Sequence, residues 1–98
     1  MEIAELRRSR DGIHKFEVKI GRKTIKFGRA GYEDFTMHHD LERKKRYLAR
    51  HRARENWNRS GIYKAGFWSR WLLWNKSSLP LSIVDVNDRF KTVRIRQL

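Results

Sequence analysis

The segment from Ala65 to Asn75 restricts the fold more than any other part of the chain. Wound as a helix, it spreads Phe67, Trp68, Trp71, Leu72 and Trp74 over most of its circumference and leaves Ser69 and Arg70 as the only polar strip. Such a helix must be enclosed. Three enclosures are open: the core of one domain, a dimer interface, or, third, stacking of single-stranded bases on the rings. With 98 residues the chain has room for one core, so residues 1–98 form a single domain. Core packing leads, and a homodimer is expected to cover whatever aromatic surface the small interior leaves out.

The rest of the sequence supplies the enclosing elements. From His14, Phe16, Val18 and Ile20 alternate with Lys15, Glu17 and Lys19; Gly21-Arg22 makes a turn, and Ile25 and Phe27 alternate with Thr24 and Lys26. Period-two alternation around a glycine turn predicts a β-hairpin with one wet, mostly cationic face. Residues 1–12 carry Arg7, Arg8 and Arg10 and end in Asp11-Gly12; they read as a mobile basic arm, with a short edge strand as the alternative. Gly28 to His39 reads as a connector anchored by Tyr32 and Phe35. Asp40 is a fitting N-cap for a helix from about Leu41 to Asn56, with Leu41, Tyr47 and Leu48 inward. A last helix follows Ser78 and Pro80 to about Phe90 on the spacing of Leu79, Ile83, Val86 and Phe90, a strand over Ser82–Val86 being the alternative. Thr92 to Arg96 alternates again and can extend the hairpin sheet. The fold class expected is α+β: a small antiparallel sheet packed with about three helices.

Charge narrows the function classes. Lys and Arg number 24 against 11 Asp and Glu, a formal +13 that repels itself unless a polyanion neutralises part of it. There is no cysteine, so disulfides and thiolate zinc sites are excluded. The first residues lack the pattern of a secretory signal, and the apolar run Phe67–Trp74 is far too short to span a bilayer, so a soluble intracellular protein without a membrane partner is expected.

Much of that charge falls on the expected helix after Asp40: Arg43, Lys44, Lys45, Arg46, Arg50, Arg52 and Arg54, with Glu42 and Glu55 as the only acids there. Arginine grips phosphate in two-pronged fashion, lysine acts as a point charge, and neutralising several phosphates releases counterions. These seven residues are the candidate nucleic-acid contacts. No zinc-finger spacing or RNA-binding aromatic strand motif accompanies them, so contact with the backbone irrespective of sequence is expected. Duplex DNA is the expected form.

His38, His39, Asp40 and His51 are the residues from which a metal cluster or a general base could be assembled. No H-E-x-x-H, glycine-rich phosphate loop or placed carboxylate pair joins them, so no catalytic residue, metal site or cofactor is assigned and the chain is not expected to be an enzyme. The alternative for these four is capping and phosphate contact.

The strings Gly31-Tyr32-x-Asp34-Phe35-Thr36, His38-x-Asp40, Arg43-Lys44-Lys45-Arg46-Tyr47-Leu48-Ala49-Arg50-His51, Glu55-Asn56-Trp57 and Ala65-Gly66-Phe67-Trp68-Ser69-Arg70-Trp71-Leu72-Leu73-Trp74-Asn75-Lys76 resemble a family of small basic proteins of unassigned function encoded by large double-stranded DNA viruses of eukaryotes, marseillevirus-like giant viruses among them. The resemblance covers about residues 13–90. It implies a viral protein carried in the particle and present in the host cytoplasm or nucleus during infection, and no defined activity. The function expected is therefore a virion-associated nucleic-acid binder, with genome packaging as its setting. The alternative is a structural protein that docks on an acidic capsid or host protein.

Overall fold

A computed structural model describes all 98 residues. Four strands, β1 (Glu2–Arg8), β2 (His14–Ile20), β3 (Lys23–Arg29) and β4 (Val93–Gln97), form one sheet in the order β3-β2-β1-β4. The β2–β3 hairpin forms as the alternation predicts, with Phe16 opposite Phe27 and Val18 opposite Ile25. Its two-residue turn begins with Gly21 at φ 60°, the left-handed backbone that a tight hairpin turn asks of its first position.

Two expectations about the sheet are corrected. Residues 1–12 are neither a free arm nor an edge: β1 lies inside the sheet, antiparallel to β2 and parallel to β4. Ala4 and Leu6 point into the core and are fully buried, which offsets the repulsion among the arginines that follow. The C-terminal strand does join, but alongside β1 and parallel to it, so the sheet is mixed instead of antiparallel. All the helices lie between β3 and β4, and that long crossover permits a parallel neighbour where a hairpin would impose an antiparallel one.

The helices are α1 (Phe35–His38), α2 (Leu41–His51), α3 (Ala65–Trp68) and α4 (Leu79–Arg89). α1 is a single turn that arises within the expected connector. α3 continues into a π-helical turn, Ser69–Leu73, closed by the Trp74 N–H on the Ser69 carbonyl. α4 starts as expected: the Ser78 hydroxyl accepts the Leu81 N–H, Pro80 sits in the first turn, and the strand alternative does not form.

One core joins these layers. Ala4, Leu6, Val18, Ile20, Phe27, Val93 and Ile95 on one face of the sheet meet Phe67, Trp68, Leu72 and Val86. Phe67, Trp68 and Leu72 are wholly enclosed, and Trp71 nearly so. The indole N–H of Trp68 donates to the Ile62 carbonyl at 2.8 Å and that of Trp71 to the Trp57 carbonyl at 2.9 Å, so neither ring is buried with an unmet donor. Phe90 closes the cluster with its ring 5.1 Å from Phe67 and 5.4 Å from Trp71. The aromatic segment is thus core. For Phe67, Trp68, Trp71 and Leu72 this is the leading of the readings the sequence left open, and their burial leaves the alternative of a dimer interface without surface. Trp74, at the edge, is half-buried against α2.

Candidate nucleic-acid interface

α2 begins where the sequence places it. The Asp40 carboxylate accepts the N–H groups of Glu42 at 3.0 Å and Arg43 at 3.2 Å. The Arg43 N–H bond is the main reason its carboxyl stays below the usual range; slight desolvation opposes it and the Glu42 N–H assists. Leu41, expected inward, is exposed, while Tyr47 is buried and Leu48 half-buried. The helix stops at His51, about one turn before the expected Asn56. Glu55 accounts for the early end: it accepts from the Trp57 indole at 2.9 Å and pairs with His51 Nδ1 at 2.8 Å, so the chain doubles back. Arg52 and Arg54 therefore lie in a turn beyond the helix and not on its face.

The seven candidate cations separate by partner. Lys44 turns inward, its ammonium donating to the Asn75 carbonyl at 2.6 Å and lying 4.8 Å from the Phe35 ring centre. Burial, reinforced by Arg70 and Lys76, lowers its pKa. It ties α2 to the segment that follows the π-turn and is corrected from phosphate contact to structural link. Arg43 pairs with Glu33 at 3.1 Å, and Lys45 reaches Glu42 only at 3.7 Å, with both side chains in solvent. Arg46, Arg50, Arg52 and Arg54 are exposed and none has a carboxylate within 4.0 Å: Glu55 is turned toward His51 and Trp57, and Asp40, which feels the charge of Arg46, is engaged in capping α2.

α2 forms one wall of a cleft of about 480 Å³, with Arg43, Arg46 and Arg50 along it. The opposite wall is the end of β3 and the turn after it, with Arg29, Tyr32 and Glu33, and the π-turn supplies Ser69 and Leu73 at the base. The Arg29 guanidinium lies 5.6 Å from the Tyr32 ring centre. Gly28, at φ 74°, lets the π-turn approach: a Cβ there would stand 2.7 Å from a Leu73 methyl. Asp34 adds no free negative charge, since Lys15 donates to it at 2.5 Å and its carboxylate caps α1, accepting the N–H and hydroxyl of Thr36. Beneath the cleft three rings stack, Trp74 on Tyr47 at 4.2 Å and Tyr47 on His51 at 4.1 Å. Burial, with Glu55 adding to it, raises the Tyr47 hydroxyl pKa and keeps it neutral. Tyr32, expected to anchor the connector to the core, is instead exposed, and Arg29 ends β3; neither stood out as a candidate contact, the only signal being an arginine between Gly28 and Gly31 followed by an aromatic.

His38, His39, Asp40 and His51 are not gathered into one site. His38 Nδ1 accepts the Asp40 N–H at 2.9 Å, the Asp40 carboxylate caps α2, the His39 ring meets the Thr36 carbonyl at 3.1 Å, and His51 faces Glu55.

The outer face of the sheet, which no helix covers, is charged in a different way. In register across the strands it carries Lys26, Glu17 and Arg7 in one row and Lys19, Glu5 and Arg96 in the next. Arg7 holds the buried Glu17 carboxylate at 2.9 Å, and Lys26 pairs with Asp11 at 3.3 Å. Cations and carboxylates alternate here.

Residues 4–51 match the model of a family of unknown function (DUF5754), a stretch running from β1 to the end of α2 and including every lysine and arginine that lines the cleft. No curated protein and no solved structure is significantly similar to the chain.

Proposed function

We propose that the protein binds nucleic acid through its phosphate backbone, without reading sequence, by way of α2 and the cleft beside it. The observation that carries this reading is the run of Arg46, Arg50, Arg52 and Arg54, four exposed cations that the fold leaves without carboxylates. Cations held apart from acids keep their full attraction for a polyanion, whereas on the outer sheet face Arg7 is bound to Glu17, Lys26 to Asp11, and Lys19 and Arg96 stand in register beside Glu5. A π-turn at the base of the cleft supports the choice of site, since such turns recur at functional positions. The reading is of a binder and not an enzyme, because the histidines and Asp40 are each engaged separately. Placement in a virus particle, accompanying or packaging the genome, rests on the resemblance in the Arg43–His51 and Phe67–Lys76 strings.

A salt titration of binding to random-sequence DNA tests it. Affinity should fall steeply and linearly on a log–log plot as salt rises, by about 0.9 in slope per phosphate neutralised. No binding at low salt, or binding indifferent to salt, would overturn the proposal.

A second reading, docking on an acidic capsid or host protein, is favoured by the outer sheet face, where exposed Ile3 lies in register with Arg94 among charges of both signs. An association that survives nuclease treatment and is lost on Ile3→Asp would favour it.

A further inference from the structure

We propose that the cleft takes a single strand of nucleic acid, DNA or RNA, in preference to a duplex. This rests on the nucleic-acid reading above and adds the form of the polyanion.

The cations stand on both sides of a recess. Arg46 and Arg50 line α2 together with Arg43, which is paired with Glu33 of the opposite wall, and Arg29 faces them from the end of β3. A duplex carries its phosphates on the outside of a thick rod and is met by a broad surface, or by a helix that enters a major groove about 12 Å wide. α2 is not free to enter a groove. Tyr47 and Lys44 fasten its inner side to the core, and the Arg29–Glu33 turn rises beside it to form the second wall. A recess with positive walls instead suits one flexible backbone threaded between them. From Arg43 to Arg50 the helix rises about 10 Å, enough to face more than one successive phosphate.

The second observation is Tyr32. It is 65 % exposed, a large ring left in solvent at the mouth of a cationic cleft. The Arg29 guanidinium lies over the ring, 5.6 Å from its centre. An exposed ring next to a backbone-tracking groove offers a face on which an unpaired base can stack; a base already paired and stacked in a duplex has no face to give. The Trp74–Tyr47–His51 stack, with Tyr47 buried between two half-buried rings, packs the floor of the cleft.

Fluorescence anisotropy on the full chain tests this, with labelled oligothymidylate, oligouridylate and a random duplex of the same length at one salt concentration. At least one single strand should bind about tenfold tighter than the duplex, and the two single-stranded probes separate DNA from RNA. Tyr32→Ala should weaken the preferred single strand by about 5- to 100-fold, the range that loss of one stacked base implies, and alter duplex binding less than about twofold. Tyr32→Phe should retain the preference. A duplex bound as tightly as both single strands, or Tyr32→Ala weakening all probes alike, would overturn the single-strand proposal while leaving backbone binding standing. Failure of every probe to bind would overturn both.

Discussion

The basic run of α2 and the aromatic run of α3 and its π-turn are of similar length and equally one-sided in chemistry, yet the fold treats them in opposite ways. From Arg46 onward the cations stay in solvent without carboxylates, while Phe67, Trp68, Trp71 and Leu72 are drawn inside and the indole N–H groups of Trp68 and Trp71 find backbone carbonyls. The exceptions explain the rule. Lys44 belongs to the basic run but is half-buried on the Asn75 carbonyl. Arg70 belongs to the aromatic run and lies half-buried against the Trp71 ring, donating to the Trp74 carbonyl at 2.8 Å. Burial, with Arg89 nearby, lowers the Arg70 pKa, as burial does for Lys44. A cation that finds carbonyls and rings inside the fold serves packing; one that finds nothing remains available to a partner.

The comparison can be broken most forcefully at Trp68. Trp68→Ala should cost about 3–5 kcal/mol in denaturant unfolding, a large part of the ~5–15 kcal/mol that holds a small domain together. A variant with unaltered unfolding but an altered sedimentation profile would return the aromatic run to an interface. Next in size, Arg46→Ala with Arg50→Ala should leave the melting temperature unchanged, weaken nucleic-acid binding about 10- to 100-fold at low salt and reduce the salt slope by about 2. Equal loss of stability in that double variant would show that these arginines are structural after all.

Lys44→Ala should do the reverse of the arginine pair. It leaves the Asn75 carbonyl without its donor and should lower stability by about 1 kcal/mol, with the salt slope of binding unmoved. The smallest effect concerns the start of α2. Because the folded-state pKa of Asp40 lies below the ordinary carboxylate value, its stabilising contribution is complete above that ordinary value and disappears as pH falls through the folded-state one. Asp40→Asn keeps an N-cap acceptor without a titrating charge, so stability near neutrality should change little and the acid limb of the unfolding profile should flatten. An unchanged acid limb would remove Asp40 from the groups that couple folding to pH.

Much of this architecture is legible in the residues. Alternation about Gly21 specifies the hairpin, Ser78 and Pro80 mark the start of α4, Asp40 marks the start of α2, and the density of rings between Phe67 and Trp74 demands enclosure. β1 was concealed because only Ala4 and Leu6 face the core, too few to outweigh the arginines beside them in a pattern-based reading. The early end of α2 was concealed because Glu55 looks like a helix residue until its hydrogen bonds to His51 and Trp57 are seen. Lys44 is indistinguishable from Lys45 in sequence; only the Asn75 carbonyl separates them.

What the sequence alone determined is local: which segments form strands or helices, which residues begin them, and that an excess of cations clusters after Asp40. Those follow from periodicity, capping and charge, which act between residues near in the chain. Only the tertiary structure decided that the aromatic run is core, that the C-terminal strand runs parallel to β1, and that Arg29 and Tyr32 face α2 across a cleft. Each of these depends on contacts between residues far apart in the chain, whose pairing is set by how the layers fit together and not by any pattern within a segment.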